Sequence, residues 1–197
     1  MNEAVGVGCE DRWRAEFYAV LAHLYADAPD AAFLRTLADA GGLGGSAGFI
    51  AAWNELAAAS AAIDPETAEQ EYSDLFVGVG TPAVNLHASH WRNGAMHDKS
   101  LAQVRADLAA LGLARQARAA MVEDHLAALC ESMRILIEGG RPDSAAAQRA
   151  FFERHLATWV LACCDAIRES EAANYYARVA MFTSRFITLE REALAMD

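Results

Sequence analysis

Residues 124–140 read DHLAALCESMRILIEGG, and the spacing of their apolar side chains decides the fold class. Leu126, Leu129, Cys130, Met133 and Ile137 recur every three or four residues, so a helix places them on one face. Gly139 and Gly140 then close it, which predicts a helix from about Asp124 to Glu138. The same interval governs the chain on both sides. Upstream, Trp13, Phe17, Val20, Leu21 and Leu24 predict a helix with one buried face over about 11–26. Pro29 and Asp30 start a short one carrying Phe33, Leu34 and Leu37, and Gly41-Gly42 stop it. A third helix is predicted from about Ala47 to Ala62, and Asp64-Pro65 starts a fourth whose buried side is Ala68, Tyr72, Leu75 and Phe76.

Helical spacing resumes from Lys99 to Leu111 with Leu101, Val104, Leu108 and Leu111, ending at Gly112. Downstream, Pro142 and Asp143 open a region carrying Phe151, Phe152, Leu156, Trp159, Val160, Cys163 and Ile167, with a break expected near His155. The last helix, about 172–193, sets Tyr175, Val179, Phe182, Phe186 and Leu189 at alternating spacings of four and three. No alternating strand pattern and no internal repeat is found. The chain is therefore read as all-α, a single globular bundle of about eight helices over residues 1–197.

Composition narrows the function. The 197 residues include 16 Lys+Arg and 27 Asp+Glu, giving a net charge of −11 with 54% hydrophobic residues. An acidic chain with no basic cluster lacks the cationic footprint that a phosphate backbone requires, so nucleic acid is excluded as the expected partner. The opening MNEAVGVGCEDRW has acids and no apolar core of a secretory signal. The longest strongly apolar run, Leu156 to Cys164, is far short of the ~18 residues of a membrane span. A cytoplasmic protein without stable membrane insertion is expected. Cys9, Cys130, Cys163 and Cys164 form no C-x-x-C pair, and Cys130 and Cys163 fall on apolar helical faces as small core residues. Residues 41–48, GGLGGSAG, have the glycine density of a phosphate loop but no Lys, and read as a connection.

Residues 77–98, VGVGTPAVNLHASHWRNGAMHD, lack regular apolar spacing, and so long a non-helical stretch inside a compact domain is usually functional. Gly78, Gly80 and Ala83 fit a G-x-G-x-x-A fingerprint, but they follow a helical pattern instead of a strand and carry Pro82 in the turn. His87, His90 and His97 with Asp98 supply metal-ligand residue types, which makes a metal-dependent enzyme one alternative reading; no H-E-x-x-H pattern supports it. A helical adaptor without leader specificity is another. No cofactor is expected. Glu123 and Asp124 are adjacent, so on a helix they point in different directions and do not form an acid/base pair.

Several elements in order resemble the TorD/DmsD family: Glu71-Tyr72-x-x-Leu75-Phe76-x-Gly78-x-Gly80, Ser89-x-Trp91, Val104-Arg105, Gly112-Leu113, and Asp124-His125-Leu126 followed by Glu131. Phe151-Phe152-x-x-His155-Leu156-x-x-Trp159 continues the likeness, which covers about residues 64–190. Residues 124–137 are most similar to members associated with formate dehydrogenases. The resemblance implies a non-enzymatic, all-helical cytoplasmic chaperone, monomeric or homodimeric. Its implied partners are the twin-arginine leader and the catalytic subunit of a molybdopterin oxidoreductase, whose export it delays until the cofactor is inserted. Such a leader has a basic start and an apolar middle, to which an apolar groove with an acidic rim is complementary.

Carried over residue by residue, the resemblance assigns peptide binding to Tyr72, Leu75, Phe76, Ser89, Trp91, Asp124 and His125. The residues also admit plainer roles: Leu75 and Phe76 as core, Asp124 as a helix N-cap, His125 as a first-turn histidine, and Trp91 as a plug holding the loop to the bundle. Three positions depart from the family pattern. Leu86-His87-Ala88 precede Ser89 where an acid is usual, Glu123 stands where Pro precedes the Asp-His pair, and Thr158 replaces Pro before Trp159.

Overall fold

The structure is a computed structural model, described here for residues 9–42, 44–78, 80–92, 97–113, 121–139 and 144–196. Among these residues it is all α-helical: α1 (Cys9–Ala26), α2 (Ala31–Asp39), α3 (Ala47–Ala62), α4 (Pro65–Tyr72), α5 (Ala88–Trp91), α6 (His97–Ala110), α7 (Leu126–Glu138), α8 (Ser144–His155), α9 (Val160–Glu169) and α10 (Tyr175–Met196). A π-helical turn, Ser73–Val77, follows α4 directly. None of the described helices is long and apolar enough to cross a membrane.

Helix starts follow local chemistry. Asp30, Ser46 and Asp64 each accept the amide of the residue three positions on, and Pro65 takes the first position of α4, where no amide donor is needed. The expected break near His155 is present: α8 ends there, and a turn over 156–159 leads to α9.

The chain divides into two compact units. The first comprises residues up to Ala26, His87–Trp159 and those from Arg191. Within it α1 packs on α7 and α7 on α8, burying Tyr18, Leu21, Leu24, Leu129, Met133 and Phe152 completely. Each such side chain contributes about 1.5–3 kcal/mol over leaving it in water. Asp107 of α6 is joined to α8 by Arg154 Nη1 at 2.6 Å and His155 Nε2 at 2.7 Å.

The second unit comprises Asp27–Leu86 and Val160–Glu190. Here α2 packs on α3, and Phe182 of α10 meets Phe49 and Trp53 of α3 with ring centroids 5.5 and 5.1 Å apart. Cys130 in the first unit and Cys163 and Cys164 in the second are buried free thiols, and burial pushes Cys163 up to about 12. They behave as the small apolar residues their helical faces implied.

Several expectations need correction. Trp13 is 45% exposed and stacks on Phe17 at the margin of the α1 stripe. Leu189 is likewise 38% exposed, while Ile187, Glu190 and Leu194 are buried. A strict four-three spacing drifts around a 3.6-residue helix, so its last member leaves the buried face. The fourth helix does not run on to Phe76 as α-helix but widens after Tyr72. The irregular segment contains α5 and the first turn of α6. A four-residue helix is too short to show a period, and its amides are satisfied from a distant part of the sequence.

Candidate functional site

The sequence-predicted residues fall into two groups, one in each unit. In the first unit the group forms where the turn before α7 meets α5. The Ala88 amide donates to the Asp124 carbonyl at 2.9 Å, and His87 and His125 form an isolated antiparallel bridge. This pairing folds the Asp124 side chain inward, where it is 2% exposed. His87 Nδ1 lies 3.0 Å from its Oδ1, and the Ser89 amide donates to Oδ2 at 3.2 Å.

Burial works against ionisation of Asp124, yet the hydrogen bonds from His87 and Ser89 outweigh it and hold the carboxyl at about 2. Asp124 is therefore not the cap of α7. That position belongs to His125, whose Nδ1 accepts the Ala127 amide at 3.2 Å. The contact fixes the neutral tautomer with the proton on Nε2. Burial, reinforced by nearby His87, lowers His125 to about 4. The two imidazoles stand edge to face, 4.9 Å apart. Glu123, at the same turn, accepts from Arg105 of α6 at 3.0 Å. Trp91 closes α5, half-buried, with His90 edge-on at 5.4 Å.

The second group is built on α4 and the π turn. Glu71, 7% exposed, accepts the amides of Asn174, Tyr175 and Tyr176 at 2.7, 2.9 and 2.7 Å, so one carboxylate satisfies the free amides at the start of α10. The π turn is closed by the Gly78 amide on the Ser73 carbonyl at 2.8 Å. Gly78 sits at φ +62°, and a Cβ there would lie 2.8 Å from the Thr81 carbonyl oxygen, so the turn requires glycine. Widening by one residue separates neighbours that a regular helix would keep on one face. Leu75 is fully buried, and its carbonyl accepts the Val84 amide at 2.9 Å. Tyr72 and Phe76 stay half-buried around Tyr176, with centroids 5.8 and 5.0 Å from its ring and 5.2 Å from each other. Burial and the charge of Asp27 push the Tyr72 phenol up to about 12. Val77, next in the chain, is 57% exposed.

The structure thus joins Ser89, Asp124 and His125 directly, and separately joins Tyr72 to Phe76, while Leu75 belongs to the core. Sequence reasoning gave Glu71 no role beyond its place in a motif. The available signal was a carboxylate on the same face as Ala68, Tyr72 and Leu75. His87 had been considered only as a metal ligand. Instead its ring is committed to Asp124, and His125 is unsuited to a metal because Nδ1 already accepts an amide. His97 and Asp98 open α6, but their side chains lie outside the described residues. Among the described residues, no three His, Cys, Asp or Glu side chains are grouped to hold a metal ion.

A cleft of about 740 Å³ in the second unit is lined by Glu55, Asp64, Thr67, Asn174, Tyr175 and Arg178 over an alanine floor. Its polar groups are largely spent on one another: Asp64 on Thr67, Arg178 on Asn174, and Tyr175 on Ser60.

The profile of the nitrate reductase delta subunit family matches residues 44–165, well over half of the chain and inclusive of both groups. A search of curated proteins found no match. The helical fold and the ordered motifs define the class as a non-catalytic chaperone of the TorD/DmsD type. Within that class, the chain belongs to the nitrate reductase delta subunit family, whose members act in the cytoplasm to assemble molybdoenzymes and bind the catalytic subunit.

Proposed function

We propose that this chain holds the twin-arginine leader of a molybdoenzyme catalytic subunit in the cytoplasm until the cofactor is in place. The likeness of residues 124–137 to formate-dehydrogenase-associated members puts formate dehydrogenase first among the clients. The observation that carries the reading is the exposure pattern at the π turn. Leu75 is consumed by the core, whereas Tyr72 and Phe76 are half-buried and Val77 is 57% exposed. Apolar side chains left at the surface beside a widened helical turn are available to an apolar segment, and π turns are often found at functional sites.

The net charge of −11 favours a basic leader and speeds encounter with it. In the first unit, Ser89, Asp124 and His125 supply the polar contacts, with Trp91 beside them on α5. Asp124 acts there chiefly as a positioning residue, tying α5 to the start of α7.

Calorimetric titration with leaders from formate dehydrogenase and nitrate reductase, each paired with a control whose two arginines are alanine, tests the proposal. Saturable binding to the formate dehydrogenase leader, lost in its control and weakened but not abolished by salt, is expected. Binding only to the nitrate reductase leader would reassign the client. Binding to neither, by protein shown to be folded, would refute leader recognition.

A further inference from the structure

We infer that His87 is an internal, displaceable stand-in for a client cation, and that its departure from Asp124 Oδ1 opens this carboxylate to an arginine or lysine side chain. The inference rests on the leader reading and adds to it a gate and a pH dependence.

The geometry divides the two carboxylate oxygens unequally. Oδ2 is held by the Ser89 backbone amide, which cannot leave without unwinding α5. Oδ1 faces the His87 ring at 3.0 Å. The His87 side chain is 36% exposed and that of Asp124 is 3% exposed, so the partner nearest solvent is the one able to swing away. A buried carboxylate is strongly destabilised when its partner goes and nothing replaces it. An incoming guanidinium meets that requirement, with donors arranged to match a carboxylate edge.

Neighbouring groups leave this role to His87. His125, edge-on at 4.9 Å, is fixed as a neutral ring by its contact with the Ala127 amide. Arg105, from α6, is engaged with Glu123 Oε2 at 3.0 Å. On α5 itself, Ser89 contributes its amide, and His90 is exposed with its ring against Trp91. His87 thus faces one carboxylate, one neutral imidazole and one cation already paired.

A protonated imidazole competes for Asp124 better than a neutral one, and imidazoles titrate between about pH 5 and 8. Leader affinity of the wild type should therefore rise by up to about tenfold between pH 5.5 and 8, the equivalent of one unit of pKa coupling. His87→Asn keeps a donor in the position of Nδ1 but cannot titrate, so its leader affinity should be flat over the same range. In parallel, imidazole NMR of the full chain follows His87 while a short arginine-rich peptide without an apolar stretch is added.

A leader affinity that is flat in His87→Asn and rises with pH in the wild type, together with displacement of the His87 signal, supports the exchange. The same pH dependence in both proteins overturns it while leaving leader recognition intact. Failure of the leader to bind, with His87 still displaced by the arginine-rich peptide, removes the leader reading and keeps the exchange. A His87 signal unmoved by either peptide overturns the exchange.

Discussion

Replacing Glu71 tests the reading of the second unit most directly. Its carboxylate accepts three amides at the start of α10, at 2.7, 2.9 and 2.7 Å, from a position only 7% exposed. In Glu71→Ala the Asn174 amide, at an exposed residue, can turn to water, but those of Tyr175 and Tyr176 are buried. A buried amide left without an acceptor costs about 1–3 kcal/mol, and the lost negative charge at the helix N-terminus adds about 0.3–1 kcal/mol. Partial relaxation of the helix end offsets some of this, so the expected loss is roughly 3–5 kcal/mol, a large part of the stability of an ordinary domain. Glu71→Gln retains one acceptor oxygen and turns an NH2 group toward an amide donor, so about half that loss is expected. Urea unfolding followed by far-UV circular dichroism and tryptophan fluorescence measures both variants, with the slope unchanged and the midpoint lowered. A Glu71→Ala protein within about 1 kcal/mol of the wild type would refute the keystone role of this carboxylate.

Three further outcomes follow from the same structure. Asp124 is lowered from 3.8 to about 2, so its contribution of roughly 2–3 kcal/mol is present above pH 3.8 and lost as pH falls through about 2. The stability gap between the wild type and Asp124→Asn should accordingly narrow below pH 4 in urea titrations. His125 is lowered from 6.5 to about 4, and burial also lowers His155 despite its Asp107 partner. Both groups take up protons on unfolding, so stability is full above about pH 6.5 and falls below it, by about 1.4 kcal/mol per pH unit for each. His125→Asn, which keeps a capping acceptor for Ala127, should remove one proton from the uptake measured by the pH dependence of unfolding; an unchanged uptake would contradict the buried neutral ring. Gly78→Ala places a Cβ 2.8 Å from the Thr81 carbonyl oxygen at φ +62°, so a loss of about 1–3 kcal/mol is expected, with faster proteolysis of the loop after the π turn.

The amino-acid sequence by itself determined the helices and the family. Apolar residues at three- and four-residue intervals, caps such as Asp30 and Asp64, and glycines after helix ends act within one or two turns, so they are visible in a short window of sequence. The family motifs survive in order for the same reason: they are local strings.

What only the tertiary structure decided is the job of each motif residue. Glu71 meets Tyr175 over a sequence separation of 104, and His87 meets Asp124 over 37. No periodicity reports contacts of that range. The sequence placed Asp124 as a candidate cap and Leu75 as a candidate binding residue. The folded chain gives the cap to His125, buries Leu75, and leaves Phe76 and Val77 toward solvent because one widened turn shifts the helical phase. Local spacing sets which residues form helices, and the burial of charged and apolar groups against distant partners sets which of them remain available to a client.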